Sequence, residues 1–474
     1  MGLRDSARRV RGLSSAPEEN RPVRRPLVFL IVVLALLMTS VDSTIVATAL
    51  ESLQHGLHTS INWAGWTITA YSFGFVLMLP ISGKLSQQYG RRRVFLGSVI
   101  VFTAASLCCG LAENIYVLVV LRAIQAAGGA GFTPSATGIV VDHFGNARDR
   151  AVSLFGSIFS IGAMIGPIFG GLFVSYWTWR GIFFVNVPFG VAIIVLALRY
   201  VPPDAPKPEG AQPRMDLTGM ALLGSGLLAG MLGATYLGER DAYISSFAFI
   251  VPTVIAVAAL YMFFRHINHT TQPFVAPDLI YGPGFGPVNL LNVLYGGATA
   301  GVIALVPIYA IERYGLTALD SGTLLIAQGA AAIILSIVAA LALRRTGHRP
   351  PLYVGGAVIA LGTLLLALSP PAGVAAYVWL AGSAFLVGAG SGAINPASRN
   401  AGLQLAPEHS STLAALRSMF RQIGSMATVS IATAILANAD DPGRTQAWVY
   451  VMAALLLIAG LPLITRVPEH HGSW

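Results

Sequence analysis

Residues 27–50 read LVFLIVVLALLMTSVDSTIVATAL, a run of 24 residues with a single charged side chain, Asp42. An apolar stretch of about 20 residues is the length of helix that crosses a ~30 Å hydrocarbon layer. The run is too long for a signal-peptide core, and the 26 residues before it hold seven arginines and no apolar stretch. It therefore reads as a retained spanning helix, not a cleaved leader. Similar runs recur along the chain. Of 474 residues, 55% are hydrophobic and only 10% charged, and mean hydropathy is +0.70. Soluble globular chains carry about 25% charged residues. Water cannot solvate such a surface, and the pattern reads as an all-α polytopic membrane protein.

Spans are expected at 27–50, 62–82, 94–112, 115–136, 151–175, 182–201, 217–236, 244–264, 285–311, 321–343, 351–369, 375–396, 411–437 and 446–465, fourteen in all. Basic residues cluster on alternate connections. Arg4 to Arg25, Lys84 with Arg91 to Arg93, Arg148 and Arg150, Arg199 with Lys207 and Arg214, Arg265, Arg344 with Arg345 and Arg349, Arg399, and Arg466 lie on one side. The other side holds Arg180, Arg240, Arg313 and Arg444. By the positive-inside rule both termini face the cytoplasm, which an even helix count requires. The net charge of +9 thus reflects membrane topology, and no nucleic-acid partner is expected. Cys108 and Cys109, adjacent in an apolar run, read as small apolar side chains. The Arg-rich N-terminus is expected to contact anionic membrane lipids.

The chain also repeats itself. Lys84 to Arg92 (KLSQQYGRR) follows the second span, and Leu341 to Arg349 (LALRRTGHR) follows the tenth. Related halves are a common transporter plan. The expected organisation is a basic N-terminus at 1–26, a six-helix bundle at 27–201, a linker at 202–216, an inserted two-helix hairpin at 217–265, a second six-helix bundle at 285–465 and a tail at 466–474. Five prolines among residues 201–216 mark the linker.

No P-loop motif and no nucleophile elbow occurs, and the nine histidines form no metal-ligand spacing. Neither an enzyme, a catalytic residue nor a bound cofactor is expected, so uphill work would draw on an ion gradient. His266 and His269 are expected in a cytoplasmic loop, and the glycines 388, 390 and 392 read as close helix packing. Ionisable groups inside the membrane are costly and usually functional. Asp42 is the only acid deep in an unambiguous span, fifteen residues beyond Leu27, or ~22 Å along the helix. Arg122, ~10 Å from the outer surface on the same rise, falls at similar depth. Acid and base could act together as a proton switch, or form a static ion pair that fixes helix register. Arg417 and Arg421 share a helix face; Arg417 is expected to snorkel to the surface while Arg421 stays deeper. Gln125, Asn289, Asn292, Arg421 and Gln422 could line a polar cavity or bond across helices.

The fifth span contains Gly162, Gly166, Pro167, Gly170 and Gly171. Glycines 162, 166 and 170 share a face that admits a close neighbour, and Pro167 invites a bend. This segment matches G-x-x-x-G-P-x-x-G-G at every specified position. With it, Gly83 to Arg93 resembles the loop G-x-L-a-D-r-x-G-r-k, and Arg122 with Gln125 resembles R-x-x-Q-G. Val41 to Val46 is similar to a first-span signature L-D-x-T-I-V-N-V-A-L-P. Trp179 to Gly190 fits W-R-x-x-F-x-I-N-x-P-x-G. Together these resemble the major facilitator superfamily, in its 14-helix drug:proton antiporter branch of multidrug efflux type.

The resemblance implies the major facilitator fold, as 6+2+6 helices, in a bacterial cell membrane. It implies export of hydrophobic or amphiphilic small molecules by alternating access, with a role in antibiotic resistance. Proton coupling would fall to Asp42 and Arg122, sealing to the antiporter-motif glycines, and state balance to Gly83, Gln87, Gly90, Arg91 and Arg92. A monomer is expected. An endogenous lipid or amphiphilic metabolite is the alternative substrate. The sequence departs from the patterns at Gln87, where the loop acid is lost with its charge interaction, and at Ala126, Ala47 and Glu51. No acid lies deep in the second half, where relatives exporting cationic drugs often keep one.

Overall fold

The computed structural model describes residues 24–59, 61–204, 216–237, 242–316, 318–437 and 439–469. Most of the N-terminus 1–26, linker positions 205–215 and tail positions 470–474 lie outside the described residues. The described residues form helices and connecting turns, with no strand among them. The long helices are α1 (Arg25–Ile45), α2 (Ile61–Tyr89), α3 (Arg91–Leu111), α4 (Ile115–His143), α5 (Arg148–Tyr176), α6 (Gly181–Tyr200) and α7 (Leu217–Leu237). They continue as α8 (Phe247–His269), α9 (Phe285–Tyr314), α10 (Ala318–Thr346), α11 (Arg349–Ala367), α12 (Ala376–Leu403), α13 (Ser410–Ala437) and α14 (Pro442–Arg466).

Thirteen helices among the described residues are long and apolar enough to cross a bilayer. The exception is α13, which has the length, 28 residues, but carries Arg417, Arg421 and Gln422 among several serines and threonines. The expectation of fourteen apolar spans therefore needs correction at this helix. Its neighbours explain the composition. Its polar side chains lie in its first half, which packs against α2, α4 and α9 and so needs less apolar surface for lipid, whereas Ile431 and Ile435 near its other end are exposed.

Several helices outrun their expected ends. α2 reaches Tyr89, α4 reaches His143 and α12 reaches Leu403, because a helix continues through the polar interface after its apolar stretch stops. His266 and His269 accordingly lie in the last turn of α8, not in a loop. Cys109 is buried, but Cys108 is exposed, so only one thiol packs inside.

Each half has its own buried apolar cluster, one built mainly from α1, α3, α4 and α5, the other from α9 to α14. A third joins α2, the α7–α8 hairpin and α13. Beside it lies an apolar cavity of about 330 Å³ lined by Leu223, Leu227, Phe263, Leu416, Met419 and Phe420. Since lipid is as apolar as these side chains, helix contacts in a membrane rely on fit and small residues. Gly388 and Gly392 admit the backbone of α10 at Gln328 and Ala332, while Gly390 admits α11 at Gly355.

The repeat persists in detail. Gly90 joins α2 to α3 with φ +105°, and Gly347 joins α10 to α11 with φ +71°, left-handed conformations that glycine adopts without a Cβ clash. In the first half, Asp204, just past α6, accepts hydrogen bonds from the Arg92 and Arg93 amides at 2.9 and 3.1 Å. In the second, Glu469, just past α14, accepts from the His348 amide at 2.8 Å and the Arg349 amide at 3.3 Å. Each acid caps a helix whose first amides lack intrahelical partners.

Candidate functional site

Asp42 lies three residues from the end of α1 and is 0% exposed. Arg122, on α4 and 1% exposed, donates through Nη1 to Asp42 Oδ2 at 2.7 Å and to Gln125 Oε1 at 2.7 Å. Gln125, one turn further along α4, turns its amide back and donates through Nε2 to Asp42 Oδ1 at 2.9 Å. Asn186, from α6, donates through Nδ2 to the same oxygen at 2.8 Å. Both carboxylate oxygens are thus engaged, by donors from two helices, α4 and α6. Outside this ring, Ser106 on α3 accepts from Asn186 at 3.0 Å and donates to the Phe183 carbonyl at 2.9 Å. The Arg122 guanidinium rests on the Tyr71 ring, 4.1 Å from its centroid.

Such a pair balances its own charge. Removing either partner would leave an uncompensated buried charge, which costs about 3–5 kcal/mol. Protonating Asp42 would cancel its half of the pair and weaken the three hydrogen bonds it accepts. Asn186 and Ser106 belong to this site but are absent from the candidate list drawn on sequence. The signal for Asn186 was its fixed polar place in the Trp179–Gly190 segment; Ser106 had none.

The antiporter-motif glycines key α5 onto the same helix that carries Asp42. A Cβ at Gly162, Gly166 or Gly170 would come closer than 3.0 Å to Ser40, Thr44 and Thr48 respectively, and Ser40 Oγ donates to the Phe159 carbonyl at 2.7 Å. At Gly171 a Cβ would meet none of the described residues within 4 Å. Pro167 lies within α5, its side chain outside the described ones.

At the end where α2 joins α3, Gly83 abuts Ser411, Thr412 and Ala415 of α13. Gln87 donates to the Glu408 carbonyl at 3.0 Å, accepts from Thr412 at 3.0 Å and touches His409. A neutral amide therefore ties the halves where the motif has an acid. Arg91 bonds Asp142 and the Gly138 carbonyl, and Arg92 donates to the Leu198 carbonyl at 2.7 Å; both stay within the first half.

The five candidate cavity residues do not meet in one place. Gln125 serves Asp42. Asn289 donates to the Leu279 and Ile280 carbonyls and so holds the turn before α9. Gln422 is half-buried on α13. Asn292 and Arg421 belong to a second cluster. There, Arg417 donates through Nε to Ser398 Oγ at 3.1 Å and through Nη2 to Asn395 Oδ1 at 3.2 Å, and Arg421 donates to Asn395 Oδ1 at 2.7 Å. Ser398 in turn donates to Asn292 Oδ1 at 2.6 Å. Arg417, 7% exposed, turns inward and does not snorkel, since Asn395 and Ser398 accept its hydrogen bonds inside the protein.

Two bundles of six helices, an inserted hairpin and an ion pair buried inside one bundle define a polytopic membrane protein of two related halves. The description of the Major Facilitator Superfamily matches residues 32–429, and the chain belongs to that family of transporters. An uncharacterized MFS-type transporter of Mycobacterium tuberculosis is 29% identical over 73% of this chain and 50% of its own length. The multidrug transporter protein MdtP of Bacillus subtilis is 27% identical over 74% of this chain and 64% of its own. The chain thus spans between half and two thirds of the length of these relatives. The crystal structure of the human organic anion transporter MFSD10 (TETRAN) superposes with a TM-score of 0.66 at 14% identity, covering 93% of this chain and 99% of that one. That likeness concerns the fold.

Proposed function

We infer that the chain is a proton-coupled antiporter that exports hydrophobic or amphiphilic small molecules across the cell membrane. The observation that carries this reading is Asp42, fully buried and held by Arg122, Gln125 and Asn186. A carboxylate so placed is a group that a proton can switch. Uptake of a proton neutralises Asp42, frees Arg122 from its partner and loosens α1 from α4 and α6. Because α1 is keyed into α5 through Gly162, Gly166 and Gly170, the two helices shift together. α5 also borders the second half, where Gly156 faces Asn395 and Ser336. Protonation thereby biases the seam between the halves, and proton return is exchanged for substrate exit. The multidrug naming of relatives such as MdtP supports the substrate class.

The test is efflux of a lipophilic dye from vesicles under an imposed pH gradient, with wild type against Asp42→Asn. Wild type should respond to the gradient, while the variant should bind dye and ignore it. Equal responses from the two proteins would refute the assignment of Asp42.

A further inference from the structure

We propose that Arg399, Arg417 and Arg421 form a binding site for the anionic group, a carboxylate or phosphate, of an amphiphilic substrate. The proposal deepens the exporter reading above and rests on it for the word substrate. Its first support is charge. Arg399 is 9% exposed, Arg417 is 7% exposed and Arg421 is half-buried, yet among the described residues no acid forms a salt bridge with any of them. Their oxygen partners are neutral, and Arg417 and Arg421 share a single one, Asn395 Oδ1. Cations drawn together out of water repel one another unless an anion joins them. Guanidinium is suited to that anion, since its planar fork matches the oxygens of carboxylate and phosphate.

The second support is an unused donor. Arg399 Nε is buried and has no hydrogen-bond partner among the described residues. Arg399 and Arg417 line one small cavity with Asn289, Asn292 and Ser398. Its volume is about 20 Å³, room for one group the size of a water. An oxygen of the anion fits there, and the body of an amphiphile does not.

The third support is place. The Arg399 guanidinium lies 5.7 Å from the ring centroid of Phe159 on α5, and a Cβ at Gly156 of α5 would stand 3.0 Å from the Asn395 Cβ. The cluster thus sits on the seam between the two halves, the interface along which a repeat-built transporter opens. Asp42, by contrast, is enclosed by α1, α4 and α6 of one half.

The experiment measures equilibrium binding of dodecanoate, dodecanamide and dodecyltrimethylammonium to the full chain in phosphatidylcholine nanodiscs, with no gradient. Dodecanoate should bind most tightly. Arg417→Gln and Arg421→Gln should each weaken it about tenfold, the scale of one charge-assisted hydrogen bond, and so erase the preference over the amide. Arg421→Lys should restore part of that preference, which separates lost charge from a damaged fold. Equal binding of the three probes, or a preference that survives both glutamine variants, overturns the site. Adding phosphatidylglycerol to the nanodiscs separates the sources of the anion. Displacement of dodecanoate assigns the arginines to a lipid headgroup, which overturns substrate as occupant; unchanged binding upholds it. The dye-efflux assay keeps the two readings apart. Gradient-driven efflux without carboxylate preference sinks this site alone, while arginine-dependent preference without gradient-driven efflux of any probe sinks the exporter reading.

Discussion

The two halves treat buried charge in opposite ways. In the first, Arg122 has its acid at 2.7 Å and two amides complete the shell. In the second, Arg417 and Arg421 share one amide oxygen and Arg399 Nε has no partner among the described residues. The same fold therefore contains one site that is balanced internally and one that is complete only with an anion. A balanced site inside a single bundle suits a proton, which changes charge without needing space. An unbalanced site on the seam suits a larger ion that must enter and leave.

The strongest way to break this contrast is to unbalance the first half. Arg122→Ala should destabilise the protein by about 3–5 kcal/mol, since it strands a buried carboxylate. Arg122→Ala combined with Asp42→Asn should recover much of that loss, and detergent-solubilised thermal unfolding reads both. A double variant no more stable than the single one would show that the pair is not a charge unit. Next in size is the α1–α5 contact. Gly166→Ala should cost about 1–3 kcal/mol through overlap with Thr44 and reduce efflux, while Gly171→Ala, with open space around it, should change neither. Similar losses at both positions would remove the keyed contact from the coupling route.

Smaller effects sharpen the comparison at the seam. Gln87→Asp removes the donor to the Glu408 carbonyl and sets two oxygens face to face, at a cost of about 1–3 kcal/mol. Hydrogen exchange in the first turn of α13 should rise; unchanged protection would separate Gln87 from seam closure. The least effect belongs to the hairpin. Asp216 accepts from the Gly219 amide at 2.8 Å, the Phe274 amide at 3.0 Å and pairs with His266 at 2.8 Å. Burial pushes its carboxyl upward, but these partners outweigh burial and hold it below the usual carboxylate range. Its stabilisation is therefore present above the ordinary pKa of ~4 and lost as pH falls below it. Asp216→Ala should cost about 1 kcal/mol, the worth of a helix cap, with thermal shift as the readout and the difference shrinking below pH ~4.

Much of the first half was legible before its geometry. One acid in an apolar span and one arginine at matching depth are visible because both break an apolar pattern, and helix rise converts their positions into depth. The glycine face of α5 was legible by spacing, though nothing in spacing named α1 as its neighbour. The second cluster was less visible. The expected span ends at 396, which leaves Arg399 as a loop charge. In the structure α12 continues through Pro396 to Leu403, as membrane helices do when neighbours satisfy the freed backbone groups. The apolar count fell short at α13 for a related reason, because composition reports contact with lipid and the first half of α13, which carries Arg417, Arg421 and Gln422, packs against protein. Ser106 and Asn395 are ordinary polar residues in sequence, and only the fold brings them to their partners.

The caps formed by Asp204 and Glu469 bear on how much of the molecule must be remade for it to change shape. Each ties the end of its own bundle to the start of that bundle's third helix, so each bundle is fastened within itself. Opening the seam touches neither tie. At the α2–α3 end it breaks the bonds of Gln87 to Glu408 and Thr412, of Ser86 to Ser411, of Asn400 to Ser153 and of Arg344 to the Asn146 carbonyl. Most of these join neutral groups and contribute about 1 kcal/mol each. On the proposed exporter reading, bonds of this size are ones that the binding of a single proton or anion to one arrangement can offset.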